Sequence, residues 1–228
     1  MKRIVVAIDG PAGAGKSTIA RRIADRLGFL YIDSGAMYRA VGLWALRRGV
    51  DLADMHRLEQ LAREARIELK PASSVFLNGE DITEAIRTPE IAQAASKVSV
   101  VPGVRRAMVH EQRRIAAETS VVMEGRDIGT VVFPEAEVKV FLDAEPPVRA
   151  ERRLNELREK GAGAVEPEAM LNEIHERDQR DRTRAEAPLM QAPDAVYLDT
   201  TAMTIEQVEE AILKLVRDRT SNGKESNS

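Results

Sequence analysis

An apolar run, Ile4-Val5-Val6-Ala7-Ile8, leads through Asp9 into Gly10-Pro11-Ala12-Gly13-Ala14-Gly15-Lys16-Ser17, and a helical pattern follows at once. This is G-x-x-x-x-G-K-[ST] in a strand, glycine-rich loop, helix context. It commits the N-terminus to a buried strand and a helix whose first turn faces an anion. Backbone N–H groups of Gly10, Pro11-Ala12, Gly13, Ala14 and Gly15, those that carry one, form the cradle. Lys16 adds a point charge for the terminal phosphates, and the Ser17 hydroxyl, followed by Thr18, is placed to ligate Mg²⁺ directly. The chain is expected to bind a nucleoside triphosphate.

Helices and short apolar strands alternate at both ends of the chain. The spacing predicts a helix over 17–27 with Gly28 as its stop, a strand over 29–32, and helices from Ser34 and over about 55–65. Further strands are expected at 121–123, 138–142 and 196–198, with helices at 146–160, about 168–182 and from Ile205. Five strands joined by helices imply an α/β fold: a kinase-type parallel sheet covered on both faces. Its ligands gather beyond the strands' carboxyl ends, which here carry Asp9, Asp33, Glu124 and Asp143. The alternation breaks at Ile67, where two strands, 67–70 and 75–77, are followed by the turn signal Asn78-Gly79, and Thr88-Pro89-Glu90 starts a helix. Residues 65–100 are read as an inserted subdomain, with 1–64 and 101–220 as the core and 221–228 as a flexible tail. Gly161-Ala162-Gly163 is expected to be a mobile joint.

Composition narrows the function. The 228 residues are 43% hydrophobic and 31% charged, a globular balance, and the net charge of −3 argues against a partner that is polymeric nucleic acid. Cysteine is absent, which suits a reducing compartment. The apolar run after Met1-Lys2-Arg3 is too short for a signal peptide and no stretch reaches membrane-spanning length, so a cytoplasmic location is expected.

Arginine placement separates a phosphotransferase from a switch or a motor. In a helix, Arg177, Arg180, Asp181 and Arg184 fall at i, i+3, i+4 and i+7, on one face. Arg149, Arg152 and Arg153 repeat the i, i+3, i+4 spacing. The first cluster holds more positive charge than its own acid can pair, which suits two anionic partners: a triphosphate meeting a monophosphate. Phosphoryl transfer needs alignment and charge stabilisation, and a phosphate acceptor is already ionised, so no general base is required. His56, His110 and His175 stand isolated on helical stretches.

From Ile4 to about Arg219 the chain resembles bacterial cytidylate kinases, of the nucleoside monophosphate kinase group. The marks are the Ile8–Ser17 loop, Asp33-Ser34-Gly35-Ala36-Met37-Tyr38-Arg39, Asn78-Gly79-Glu80-Asp81-Ile82, Ile86-Arg87-Thr88, Ala95-Ser96-Lys97-Val98, Val104-Arg105, Gly125-Arg126-Asp127 through Pro134, and Arg177-Asp178 to Arg184-Ala185. The resemblance implies transfer of the γ-phosphoryl group of ATP to CMP or dCMP. It places Ser34, Arg39 and Arg126 at the monophosphate, and Ser96, Arg105 and Asp127 at the cytosine. Arg177 and Asp181 would grip the sugar, and Arg184 would lie near the transferred phosphoryl. It implies that Lys16, Arg126 and Arg184 carry the chemistry, and that residues from Arg149 to about 168 form a lid over ATP, with Arg149 and Arg153 as ATP ligands. The family commonly has Asp where this chain has Glu124, so Glu124 and Asp33 are the carboxylates expected to reach Mg²⁺ through water. Two other readings compete: a kinase of the same loop class for another small acceptor, with Asp33 as base if that acceptor is an alcohol, and a nucleotide-dependent switch. A monomer is expected.

Overall fold

Val6, Ala7 and Ile8 have no exposed surface, because β1 (Val5–Asp9) is flanked on both sides. It pairs in parallel with β6 (Val121–Gly125) and with β7 (Val138–Asp143), and β7 pairs in parallel with β8 (Val196–Asp199). With β2 (Leu30–Asp33) these strands form a five-stranded sheet of order β2-β6-β1-β7-β8. The central strands are largely apolar, as strands covered on both faces are; the exception within β7, Lys139, is buried and pairs with Asp194. The structure, a computed structural model, describes residues 3–70, 73–159 and 165–221. The expected tail beyond Ser221 and the joint at 161–163 lie outside these residues.

The chain divides into two compact units, Met1–Leu30 with Ser120–Ser228, and Tyr31–Thr119. In the first unit, α1 (Lys16–Leu27) follows the glycine-rich loop and packs against α8 (Ile205–Ser221). Glu209 joins the two helices by accepting from Arg22 at 2.5 Å and Arg26 at 2.9 Å. Val208, Ile212 and Val216 are the buried stripe of α8, at the expected spacing. Helices α6 (Pro146–Glu159) and α7 (Pro167–Thr183) pack together around Ala150, Leu154, Leu157, Met170 and Ile174.

The second unit is wider than the 65–100 segment read as an insert. Its core runs through α2 (Ser34–Arg47), α3 (Met55–Glu64), α4 (Pro89–Val98) and α5 (Pro102–Ala116), with Met37, Val41, Leu58, Val98 and Val104 buried together. Because α4 packs on α2 and α5 on α3, one apolar core draws in helices from both sides of that segment. The small antiparallel sheet β3 (Ile67–Lys70), β4 (Ser74–Leu77), β5 (Glu80–Asp81) completes it. Asn78 and Gly79, at φ 52° and 86°, make the two-residue turn that joins Leu77 to its partner Glu80.

Two local features depart from the periodic reading. Helix α7 stops at Thr183, and Arg184 is extended at φ −62°, ψ 142°, so it leaves the helical face assigned to it. Residues Ile128–Val132 form a single π-helical turn, which no periodicity had indicated.

The loop is held tightly where it leaves β1. Gly10 has φ 150°, and a Cβ there would lie 1.9 Å from the carbonyl oxygen of Leu142 on β7. Gly10→Ala is expected to destabilise the protein by more than about 2 kcal/mol, read by chemical denaturation, because backbone rather than a pliable side chain must give way.

Candidate active site

The loop carries its cation folded back on itself. Lys16 opens α1, and its Nζ donates to the Pro11 carbonyl at 2.7 Å. Burial pushes its ammonium down to about 7, Arg126 and Arg177 push the same way, and Glu124 and Asp9 oppose them. Ser17 and Thr18 are exposed at the helix start. The next loop carbonyl, Ala12, accepts from Nη1 of Arg149 at 3.0 Å.

Arg149 is turned inward. It is only 2% exposed, its Nε donates to Ala144 at 2.8 Å, and its Nη2 meets Asp178 on α7 at 2.6 Å. Arg153, one turn further along α6, pairs with Glu156 at 2.6 Å, and Arg152 donates to the Thr200 hydroxyl and carbonyl. The 149–153 cluster thus finds its recorded partners within its own unit.

The α7 cluster is met by one cation and one carboxylate from the segment just beyond β6. Arg126, just beyond β6, donates to Asp181 at 2.8 Å, and Arg184 donates to Asp127 at 3.2 Å and to the Ala187 carbonyl at 2.5 Å. Burial alone would raise the Asp181 carboxyl, but Arg126, Arg177 and Arg184 outweigh it and hold it below the usual carboxylate range. Burial opposes the charge of Arg126 too, and Asp181 outweighs that and raises it. Arg177 is half-buried on the same helix, and Glu124 is buried at the end of β6. The first unit therefore gathers Lys16, Glu124, Arg126, Asp127, Arg177, Asp181 and Arg184 into one electrostatic network.

The remaining candidates belong to the second unit. Asp33 caps α2, accepting from the Ala36 N–H at 2.9 Å, and pairs with Arg39 at 2.7 Å. Ser34, the first residue of α2, is buried. Arg105, 3% exposed on α5, donates to the Ser99 carbonyl at 3.1 Å and lies over the Tyr38 ring at 5.7 Å. Ser99 in turn donates to the carbonyl of Ser96, so these residues of α2, α4 and α5 hold one another. The sequence reading assigned no role to Tyr38 or Ser99. The signal for Tyr38 was its position one turn after Ser34; Ser99 had none, because its contact is a carbonyl any residue could offer. A cavity of about 340 Å³ between α3 and α5, lined by Arg63, Arg106, Met108 and His110 among others, holds none of the candidate site residues.

Asp9 was read only as a polar strand end. It is buried, and its carboxylate accepts from the N–H groups of Ile128 at 2.8 Å and Gly129 at 2.7 Å. Burial pushes this carboxyl up to about 6 against those two bonds. Among the described residues no group of three or more His, Asp or Glu is arranged to hold a metal, and no helix is long and apolar enough to cross a membrane.

A glycine-rich loop between the central parallel strand and a helix, with buried guanidiniums beside it, defines a nucleotide-binding protein with the kinase-type phosphate loop. Residues 6–218 match the model of the cytidylate kinase family. The cytidylate kinase of Solibacter usitatus (strain Ellin6076) is 65% identical over 98% of this chain and 97% of the relative. That of Pelotomaculum thermopropionicum is 52% identical over 96% of each. Among solved structures, an uncharacterized protein from Eubacterium ventriosum ATCC 27560 shares the fold, with a TM-score of 0.51 at 12% identity over 94% of this chain and 98% of that one. The chain belongs to the cytidylate kinase family.

The depressed Lys16 has a measurable consequence. At pH 8 the ammonium is mostly deprotonated in the nucleotide-free protein, and a triphosphate favours its charged form, so binding takes up a proton. Calorimetry of ATP binding in two buffers of different ionisation enthalpy is expected to show uptake approaching one proton at pH 8, abolished in Lys16→Met. Affinity falls as pH rises above about 7.

Proposed function

We propose that this chain transfers the γ-phosphoryl group of ATP to CMP or dCMP, giving ADP and CDP or dCDP. Family membership supports the reaction. The single observation that carries the residue-level reading is the set of buried guanidiniums, Arg126 and Arg184, held by Asp181 and Asp127 beside the loop lysine. Fixed cations of this kind lower the repulsion between a triphosphate and a monophosphate and stabilise charge spread over the transferred group.

In this reading Gly10 to Thr18 bind the triphosphate. Lys16 exchanges the Pro11 carbonyl for phosphate oxygens, and Arg126 and Arg184 share their carboxylates' positions with the reacting phosphates. Ser34, Arg39 and Arg126 hold the monophosphate, and Arg177 and Asp181 the sugar. Arg105 and Ser96 donate to N3 and O2 of cytosine, and Asp127 accepts from its amino group. Uracil offers an acceptor at that position and would leave buried groups unpaired. Arg153 reaches ATP from α6, whereas Arg149 acts through the loop carbonyl it holds.

The residues fit Mg²⁺, which keeps several waters and binds through phosphates with one or two protein oxygens. The exposed Ser17 hydroxyl would hold it directly and Glu124 and Asp33 through water, and the ion would neutralise charge on the transferring phosphates. The protein's own part is alignment: the acceptor's phosphate oxygen attacks the γ-phosphorus while the β–γ bridging oxygen leaves with ADP. We further propose that it works as a cytoplasmic monomer, for which its cysteine-free sequence is suited.

A coupled assay of ADP release over a panel of acceptors tests the reaction. Turnover with CMP and dCMP is expected, and turnover with UMP or a hydroxylated metabolite but not CMP overturns it. Arg184→Ala is expected to lower kcat by about 100-fold or more with KM for CMP within about 3-fold, since its charge counts most during transfer. Equal losses in both would remove that role. Asp127→Ala is expected to cut the CMP-over-UMP preference in kcat/KM by about 10-fold or more.

A further inference from the structure

The turn after β6 is capped from a different strand. Its π-type bonds run from the Val132 N–H to the Asp127 carbonyl at 3.1 Å and from the Phe133 N–H to the Ile128 carbonyl at 2.7 Å. Such a turn leaves its first N–H groups without partners inside the helix. The residue before it normally supplies them, and Asp127 is of the preferred type. Yet Asp127 makes no side-chain capping bond and directs its carboxylate to Arg184. Asp9 takes the vacated task. Its Oδ1 accepts from Ile128 and its Oδ2 from Gly129.

We propose that Asp9 is a positioning residue for acceptor discrimination: by capping this turn from β1, it relieves Asp127 of capping its own helix and fixes that carboxylate towards Arg184 and the acceptor's base. The base-facing part rests on the reading of Asp127 given above.

The geometry is demanding. Each Asp9 oxygen serves one backbone donor, so an asparagine would point an NH₂ group at one of the two N–H groups and leave it unsatisfied. Gly129 lies close by, and a Cβ there would be 3.2 Å from Cδ of Lys139 and 3.4 Å from Oδ2 of Asp9. The turn has little room to slide and recover the bond elsewhere. Asp9 also directly precedes Gly10 and pairs in register with Gly125, so one strand end sets both the phosphate loop and the segment bearing Arg126 and Asp127. With the cap gone, Asp127, which holds the N-cap position, can cap its own turn, and turning inward removes it from Arg184.

Steady-state kinetics of Asp9→Asn with CMP and with UMP, run beside Asp127→Ala, test this. Asp9→Asn is expected to cut the CMP-over-UMP ratio of kcat/KM by about 10-fold. A purely structural lesion would lower both acceptors alike. If Asp127→Ala collapses the ratio and Asp9→Asn leaves it intact, the inference is wrong and the reading of Asp127 stands. If Asp127→Ala leaves the ratio intact, the reading fails and the discrimination role of Asp9 falls with it. The wild-type protein supplies a readout that survives misfolding of the variant: the Ile128 and Gly129 amides are expected to exchange with solvent at least about 100-fold more slowly than unprotected amides. Exchange at unprotected rates overturns the cap.

Discussion

A guanidinium taken out of water must be met by oxygen on nearly every side, and three such groups organise the first unit. Arg126 meets Asp181, Arg184 meets Asp127, and Arg149 meets Asp178. Two of these pairs join α7, or the chain just beyond it, to the residues that follow β6, and the third joins α7 to α6. Removing one partner of a buried pair costs about 3–5 kcal/mol, because the other charge is stranded. The same carboxylates that make the helix dock thus hold the buried cations in place. Folding and chemistry use one set of contacts.

This arrangement explains how a chain with a net charge of −3 can handle two polyanionic ligands. Positive charge is concentrated rather than abundant. Burial, with Arg126 and Arg177 adding to it, drives Lys16 towards neutrality. The anionic ligand is then the most favourable partner available. Its binding restores a charge that burial had suppressed.

Much of this was legible in the residues. The five strands, the helices and the type of turn at Asn78-Gly79 followed from period and punctuation, since apolar runs of four or five residues between helices leave little choice. The boundary of the second unit was not legible, because the packing of α4 on α2 is a matter of tertiary partners and has no local sign. The end of α7 was legible to within one residue, but Arg184 does not continue its face: it is extended and held by the Ala187 carbonyl, a contact with no sign in the sequence. Arg149 was expected to reach ATP, and its spacing gave no sign that it is buried against three backbone and side-chain oxygens. The capping role of Asp9 had no signature either, since the helix it serves lies 119 positions away in the chain.

Arg149 bolts three pieces together at the root of the α6–α7 pair: the Ala12 carbonyl, the Ala144 carbonyl and the Asp178 carboxylate. Swinging the whole hairpin as a rigid arm would tear all three hydrogen bonds and drag the phosphate loop with it. The base of the α6–α7 pair is therefore clamped to the loop, so a change in how these two helices pack would reach the loop through one side chain.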